Sequence, residues 1–447
     1  MRIPMPPPNL DEIGKKLLDD DPKRFMDIMT HEAAANISGE AYLPWDKFRY
    51  HTHPENLSIE EWWFVVRNRR NGILRSTSLL DAAGNPFTYA LPDEVLRLSE
   101  QITKNASGQI SMSEQVTNSE TRDRYLVSSL MEEAITSSQL EGASTERGVA
   151  REMLRSGREP QTVSEKMILN NFRAMRMIGS LRKEKLTPGM ICEIHRIVTE
   201  GTLENPDASG RFQRPGEERI TVRDEQDKLL YKPPPARDLP ERIERLCTFA
   251  NGDTGPGYLP PVLRAITVHF MLGYEHPFED GNGRTARTLF YWSMLNQGYW
   301  LTEFLTVSKI LKESPTKYAR SYLYAEQDTN DLTYFHIYHL KVVQRAVDQL
   351  QSYLTKKMEE VRTLQITLAR QPGEFNHRQM AVLNNAANHP NQRYTAVSHA
   401  TSHGVSGETA RKDLLYLEQR GLLSRAKAGK QHAWVPAPNL LEQLDQH

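Results

Sequence analysis

The chain has 447 residues, with 56 Lys and Arg against 57 Asp and Glu and a formal net charge of −1. That balance gives no global attraction to nucleic acid or to an anionic membrane surface, and the length accommodates about two or three domains with sizeable cores. Only two cysteines, Cys192 and Cys247, are present, which argues against a disulfide framework or a zinc site and fits a reducing compartment.

The N-terminus, Met1 to Pro8, lacks the apolar segment of a signal peptide, and no apolar run reaches membrane-spanning length. A cytoplasmic protein without membrane attachment is expected. Pro6 to Pro8 read as an extended tail. Trp45, Phe48, Tyr50, Trp62 and Trp63 mark an aromatic-rich segment that should pack a small subdomain. His51 and His53 have no Cys or carboxylate at ligand spacing, so a metal reading is not taken up. Ile73–Leu80 and Phe87–Leu91 flank the turn residues Asp81 to Asn85, a hairpin pattern. Residues 1–110 are expected to form an accessory region that docks against the central domain.

A helix is expected from Arg122 to Leu140, with apolar residues at Tyr125, Leu126, Leu130, Ala134 and Ile135. Gly142 is placed as its C-cap, and Ser137 and Glu141 are one turn apart on one face. Further on, Arg219-Ile220-Thr221-Val222 and Leu229-Leu230-Tyr231 surround a polar turn at Arg223 to Asp227 and read as a hairpin. A helix is expected next, from Leu239 to Phe249.

The most informative stretch is His276-Pro277-Phe278-Glu279-Asp280-Gly281-Asn282-Gly283-Arg284-Thr285-Ala286-Arg287. Val262 to Tyr274 before it and Thr285 to Leu295 after it have helical apolar patterns, so the run is a loop emptying into a helix N-terminus. Free backbone N–H groups and the positive dipole end make an anion site there. Gly281 and Gly283 allow close approach of a ligand, and Arg284 and Arg287 share a helix face from which they could grip phosphates. Asp280 is a hard oxygen ligand suited to Mg²⁺, and His276 could take a proton from an attacking hydroxyl near neutral pH. No G-x-x-x-x-G-K-[ST] sequence occurs, so a P-loop is excluded.

Leu332 to Leu368 carries apolar residues at three- and four-residue spacing, a long amphipathic helix. A bridge between domains and a homodimer seam are both open to it; the bridge is preferred. Gln371-Pro372-Gly373 marks a boundary. Gln379–Ala387, Thr395–Ser402 and Ser406–Leu417 read as three helices. Leu422–Ser424 and Ala433–Val435 flank a basic turn, Arg425 to Lys430. This order resembles a winged helix-turn-helix, which implies DNA as a partner, with Arg411 and Lys412 as candidate contacts. From Asn391 to Ala433 seven Lys and Arg face three Asp and Glu, a mild basic footprint. Winged helices also serve as protein-docking modules, and that alternative stays open.

The run at 276–287 resembles, position by position, the Fic-domain signature H-P-F-x-D-G-N-G-R-x-x-R. The resemblance implies a mainly α fold, a helical core with a small β-hairpin flap, here continued by the C-terminal winged-helix domain. It implies transfer of AMP from ATP to a Ser, Thr or Tyr hydroxyl of a target protein, with self-modification. His276 would be the base, and Asp280 would hold Mg²⁺ on the α- and β-phosphates. Gly281, Asn282 and Gly283 would form the anion hole, with Arg284 on the β-phosphate and Arg287 on the γ-phosphate. Ile220, Thr221 and Val222 would lie in the flap where a target segment adds as a strand. Ser137-Ser138-Gln139-Leu140-Glu141-Gly142 resembles the family's inhibitory motif, (S/T)-x-x-x-E-(G/N), which implies that Glu141 pairs with Arg287 and blocks the γ-phosphate site. The corresponding domains are 111–335 for the Fic domain, including an inhibitory helix at about 122–142, 336–371 for the bridging helix and 372–447 for the winged helix. Two other readings remain: the same site also removes AMP, or the chain is a DNA-binding regulator that senses nucleotide. Intact His276 and Asp280 favour an enzyme, because a sensor needs no base.

Overall fold

The computed structural model describes residues 2–30, 42–107, 119–223, 227–370, 374–388, 392–428, 431–438 and 440. Helices dominate, and the described strands form three separate two-stranded antiparallel hairpins. The N-terminal stretch contains α1 (Leu10–Asp20), α2 (Pro22–Met29), α3 (Trp45–Phe48), α4 (Ile59–Asn71), β1 (Arg75–Leu80), β2 (Pro86–Tyr89) and α5 (Asp93–Ser107). Trp45, Phe48, Trp62 and Trp63 are buried together, as their aromatic clustering suggests. Tyr50 departs from that expectation: it is 74% exposed, with the Arg49 guanidinium over its ring.

Next come α6 (Ser119–Leu140), α7 (Arg147–Ser156), α8 (Val163–Ser180), α9 (Pro188–Thr199), β3 (Val222–Arg223), β4 (Leu229–Tyr231), α10 (Leu239–Ala250), α11 (Pro261–Glu275), α12 (Asn282–Asn296), α13 (Val307–Glu313), α14 (Pro315–Gln327) and α15 (Thr333–Arg370). α11 and α12 are buried on nearly every face, the signature of helices at the centre of a core. They pack on each other, while α6, α8 and α9 pack around α12. α12 begins at Asn282, three residues before the apolar pattern at Thr285 signals it, because Gly281 supplies the left-handed turn that lets it start.

The flap is shorter than expected. Ladder pairing covers Val222 with Tyr231 and Arg223 with Leu229, so Ile220 and Thr221 precede the strand. There the Arg219 guanidinium, bound to three backbone carbonyls, ties the chain down in place of strand pairing. Part of the expected polar turn, residues 224–226, lies outside the described residues.

Sequence patterns place boundaries at 110/111, 335/336 and 371/372; by compactness the chain divides at 348/349, within α15. Residues 371–373 lie outside the described residues. The second unit holds α16 (His377–Asn388), α17 (Ala396–His403), α18 (Gly407–Gln419), β5 (Leu423–Ala428) and β6 (Gln431–Pro436). Thr395 and Ser406 cap α17 and α18 through their hydroxyls. Leu383, Leu414, Leu417 and Trp434 form this unit's core. Arg425 to Ala428, expected in a turn, belong to β5, since they pair residue for residue with Trp434 to Gln431. Residues 429 and 430 lie outside the described residues. Among the described residues, no helix is long and apolar enough to cross a membrane.

Candidate active site

Residues 276–281 join α11 to α12, and their shape is set by two left-handed residues, His276 at φ 44° and Gly281 at φ 80°. A histidine in that conformation is strained and persists only when its surroundings hold it. Arg219 does so, donating from Nη2 to the carbonyls of Glu275 (2.6 Å) and His276 (3.2 Å). The Gln213 N–H donates to the Pro277 carbonyl at 2.8 Å.

Phe278 anchors the loop in the core. Its N–H donates to Asn282 Oδ1 at 3.0 Å, and its carbonyl accepts from Asn282 Nδ2 at 2.9 Å. The Asn282 side chain therefore braces the loop, which leaves its backbone to face any bound anion. His276 Nδ1 donates to the Gly273 carbonyl at 3.3 Å, since a carbonyl only accepts; Nε2 keeps its lone pair. Burial pulls this imidazole below its ordinary pKa, so it is the neutral, basic form at neutral pH.

Asp280 keeps an exposed carboxylate, with Oδ1 accepting from the Gly281 N–H at 2.6 Å. Among the described residues no group of three or more His, Cys, Asp and Glu could hold a metal ion. Asp280 could hold a hard cation only together with ligand oxygens, the usual arrangement for Mg²⁺ on a nucleotide.

The two arginines of the run are both buried and are gripped by different helices. Arg284 donates from Nη1 to the Val198 carbonyl of α9 at 2.8 Å and lies 3.4 Å from Asp280 Oδ2. Arg287 turns toward α6. Its Nε donates to Ser137 Oγ and its Nη2 to the Ser137 carbonyl, both at 2.9 Å, and Nη2 is 2.9 Å from Glu141 Oε1. α6 ends in a Schellman arrangement, with Ala143 N–H on the Ser138 carbonyl and Gly142 N–H on that of Gln139. Gly142 supplies the left-handed φ of 90°. That termination carries Glu141 across the first turn of α12: a Cβ added to Gly283 would collide with the Glu141 carboxylate. A carboxylate thus rests where free N–H groups and the helix dipole favour an anion. Glu133, one turn before Ser137, fastens α6 by accepting from Ser308 N–H at 3.0 Å and from its hydroxyl.

His195, Arg219, Gln213 and Glu133 hold the loop or α6 in place although no sequence motif flags them. Each is a polar residue whose partners are remote in the chain, and His195 sits on the buried apolar face of α9, with Ile191, Ile194 and Val198, where it reads as core. In the second unit, Arg411 is exposed, whereas Lys412 is engaged by Glu408 at 3.0 Å.

Residues 185–294 match the Fic/DOC family. It is 31% identical over 118 residues to a protein adenylyltransferase Fic of Nematostella vectensis, covering 26% of this chain and 25% of that protein. With the protein adenylyltransferase Fic of Drosophila willistoni it shares 32% identity over 134 residues, 30% of this chain and 24% of the relative. The matched region is thus about a quarter of the length of these relatives. A Fic family protein from Desulfovibrio desulfuricans G20 has a similar fold, with a TM-score of 0.52 and 17% identity, covering 77% of this chain and 96% of that structure.

Proposed function

We propose that the protein transfers AMP from ATP to a side-chain hydroxyl of a target protein and restrains that activity with its own Glu141. The observation that carries this reading is the Glu141 carboxylate on the first turn of α12, ion-paired to Arg287 at 2.9 Å. A site that holds its own anion at a helix N-terminus, beside a neutral histidine and an exposed aspartate, suits polyphosphate chemistry.

The reaction follows from the groups present. His276 Nε2 takes the proton of the target hydroxyl. The oxygen attacks the α-phosphorus, the bond to the β-phosphate oxygen breaks, and pyrophosphate leaves. The α12 N-terminus and Arg284 would stabilise charge developing on the phosphates. Asp280 and the phosphate oxygens would hold Mg²⁺, which offsets phosphate charge when bound. Arg287 is the natural partner for a γ-phosphate, and Glu141 competes for it. The flap strands β3 and β4 offer backbone for a target segment to pair with, next to the exposed Ile220.

The second unit, three helices and a hairpin, supports a winged-helix reading in which α18 presents Arg411 to DNA. Asp413, held by Arg378 at 2.7 Å and Asn376 at 2.9 Å, fixes α18 against α16.

Transfer of labelled AMP in native lysate, wild type against Glu141→Gly, tests the main reading. Labelled target and labelled enzyme should appear with the variant. No labelling by either protein would overturn it.

A further inference from the structure

One buried histidine outside the signature run touches the phosphate loop directly. His195, in the third turn of α9, is fully buried and lies flat on Phe278, with ring centroids 3.7 Å apart and planes inclined by 1°. Both ring nitrogens are engaged. The Gly210 N–H donates to Nδ1 at 3.0 Å, so Nδ1 is the acceptor and Nε2 carries the proton. Nε2–H then donates to the backbone carbonyl of Asp280 at 2.9 Å. The tautomer is fixed by two backbone groups from opposite sides of the ring.

The same end of α9 shapes the rest of the loop. A Cβ on Gly281 would strike Thr199 Cγ2 and press against the His195 ring, and the Val198 carbonyl receives Arg284. The Gly210 end of the contact belongs to the chain that runs on to Gln213 and Arg219, the two residues that hold the Pro277 and His276 carbonyls. His195 therefore bridges the segment leading to the flap and the segment leading to the phosphate site.

We infer that His195 is a positioning residue: through the Asp280 carbonyl it holds the Asp280 carboxylate and the Asn282 and Gly283 N–H groups in the register that the nucleotide phosphates require. The inference rests on the function proposed above. His195 touches no reacting atom, so it acts on the placement of the groups that do. Loss of its N–H leaves the Asp280 carbonyl without that buried donor and frees the peptide to rotate, and a misplacement of about 1 Å in such a site is enough to cost activity on the order of 10²-fold.

Three variants separate positioning from packing, each made in the Glu141→Gly background so that transfer is measurable. His195→Phe keeps an aromatic ring against Phe278 and removes both hydrogen bonds. His195→Asn loses the ring but retains an N–H donor. His195→Ala removes both. The readouts are KM for Mg-ATP, kcat, melting temperature and amide hydrogen exchange of the peptide spanning residues 279–283. His195→Phe, which leaves the Gly210 N–H and the Asp280 carbonyl without their partner, should lower the melting temperature less than His195→Ala does, raise KM for Mg-ATP about tenfold, equivalent to about 1.4 kcal/mol, and quicken exchange in 279–283. His195→Asn should recover part of the KM relative to His195→Ala despite its lost stacking. Equal KM and unchanged 279–283 exchange in His195→Phe would overturn the inference, as would a loss of activity that simply tracks melting temperature across the three. If the Glu141→Gly parent itself transfers nothing, the functional reading fails; exchange at 279–283 then still decides whether His195 holds the loop.

Discussion

Glu141 and Arg287 meet at 2.9 Å across the first turn of α12, although they lie 146 positions apart in the chain. The guanidinium is buried while the carboxylate is 29% exposed, so the pair is weighted toward its arginine side. Removing the arginine would leave an exposed-edge carboxylate able to rehydrate. Removing the glutamate leaves a buried cation open to another anion, and the γ-phosphate of ATP is such an anion. Glu141→Gly should therefore raise AMP transfer, to targets and to the enzyme itself. Arg287→Ala should not, and the double substitution should stay poorly active, because the gain requires the guanidinium. Initial rates with labelled ATP for the four proteins check this. A Glu141→Gly enzyme no faster than wild type in forward transfer would mean that Glu141 is not inhibitory, or that it serves AMP removal instead.

His276 offers a lone pair at Nε2 with Nδ1–H tied to the Gly273 carbonyl. His276→Ala in the Glu141→Gly background should lower transfer by roughly 10²–10⁴-fold, the usual contribution of a general base. ATP affinity should change little, because the base acts on the incoming hydroxyl. Titration of the nucleotide beside the transfer assay separates the two, and wild-type transfer rates in the alanine variant would sink the assignment.

Asp280 is the exposed carboxylate of the loop, and its contribution to a cation site depends on the phosphates arriving with the ion. Chelation by excess EDTA should stop transfer, and Asp280→Ala should do so in the presence of Mg²⁺. Transfer that survives both treatments gives the carboxylate another role.

Arg411 is exposed on α18 and should contact DNA phosphates or bases. Alanine at Arg411 and Lys412 should weaken retention on duplex DNA, and retention by the parent should fall steeply with salt. Lys412 first has to leave Glu408, so Arg411→Ala should have the larger effect. Retention indifferent to both substitutions points to a protein-docking module.

The core also carries a pH signature. Burial lowers His336 and His339 to about 3, against about 6.5 in the unfolded chain. Between those values the unfolded state binds more protons, so each histidine stabilises the fold fully above about pH 6.5 and loses that contribution as the pH falls toward about 3. Acids such as the half-buried Glu326, raised to about 8 by desolvation, act with the opposite sign between about 4.5 and 8, so the informative quantity is a difference between proteins. His339→Leu should show a shallower loss of melting temperature from about pH 6.5 to about 4.5 than the parent. Parallel curves for the two would refute the placement of His339 as a buried neutral group.

Local chemistry alone made much of this protein legible. The apolar spacing marked α11, α15 and the helices of the second unit, because a helix that packs must repeat its apolar residues every three to four positions. The run from His276 to Arg287 announced its site since loop, glycines and charges are contiguous, and Gly142 announced the end of α6 through the left-handed turn it permits. Tertiary structure decided the rest. Nothing local says that Ile220 and Thr221 stay unpaired, because Arg219 is held by carbonyls 56 and 57 residues away. The run flags Asn282, yet nothing local says that its side chain braces the loop through both the N–H and the carbonyl of Phe278. His195 acquires its role only where α9 meets the loop 85 residues later. A side chain's hydrogen-bond partners are set by which elements pack together, and periodicity records that an element has a buried face without recording what it is buried against.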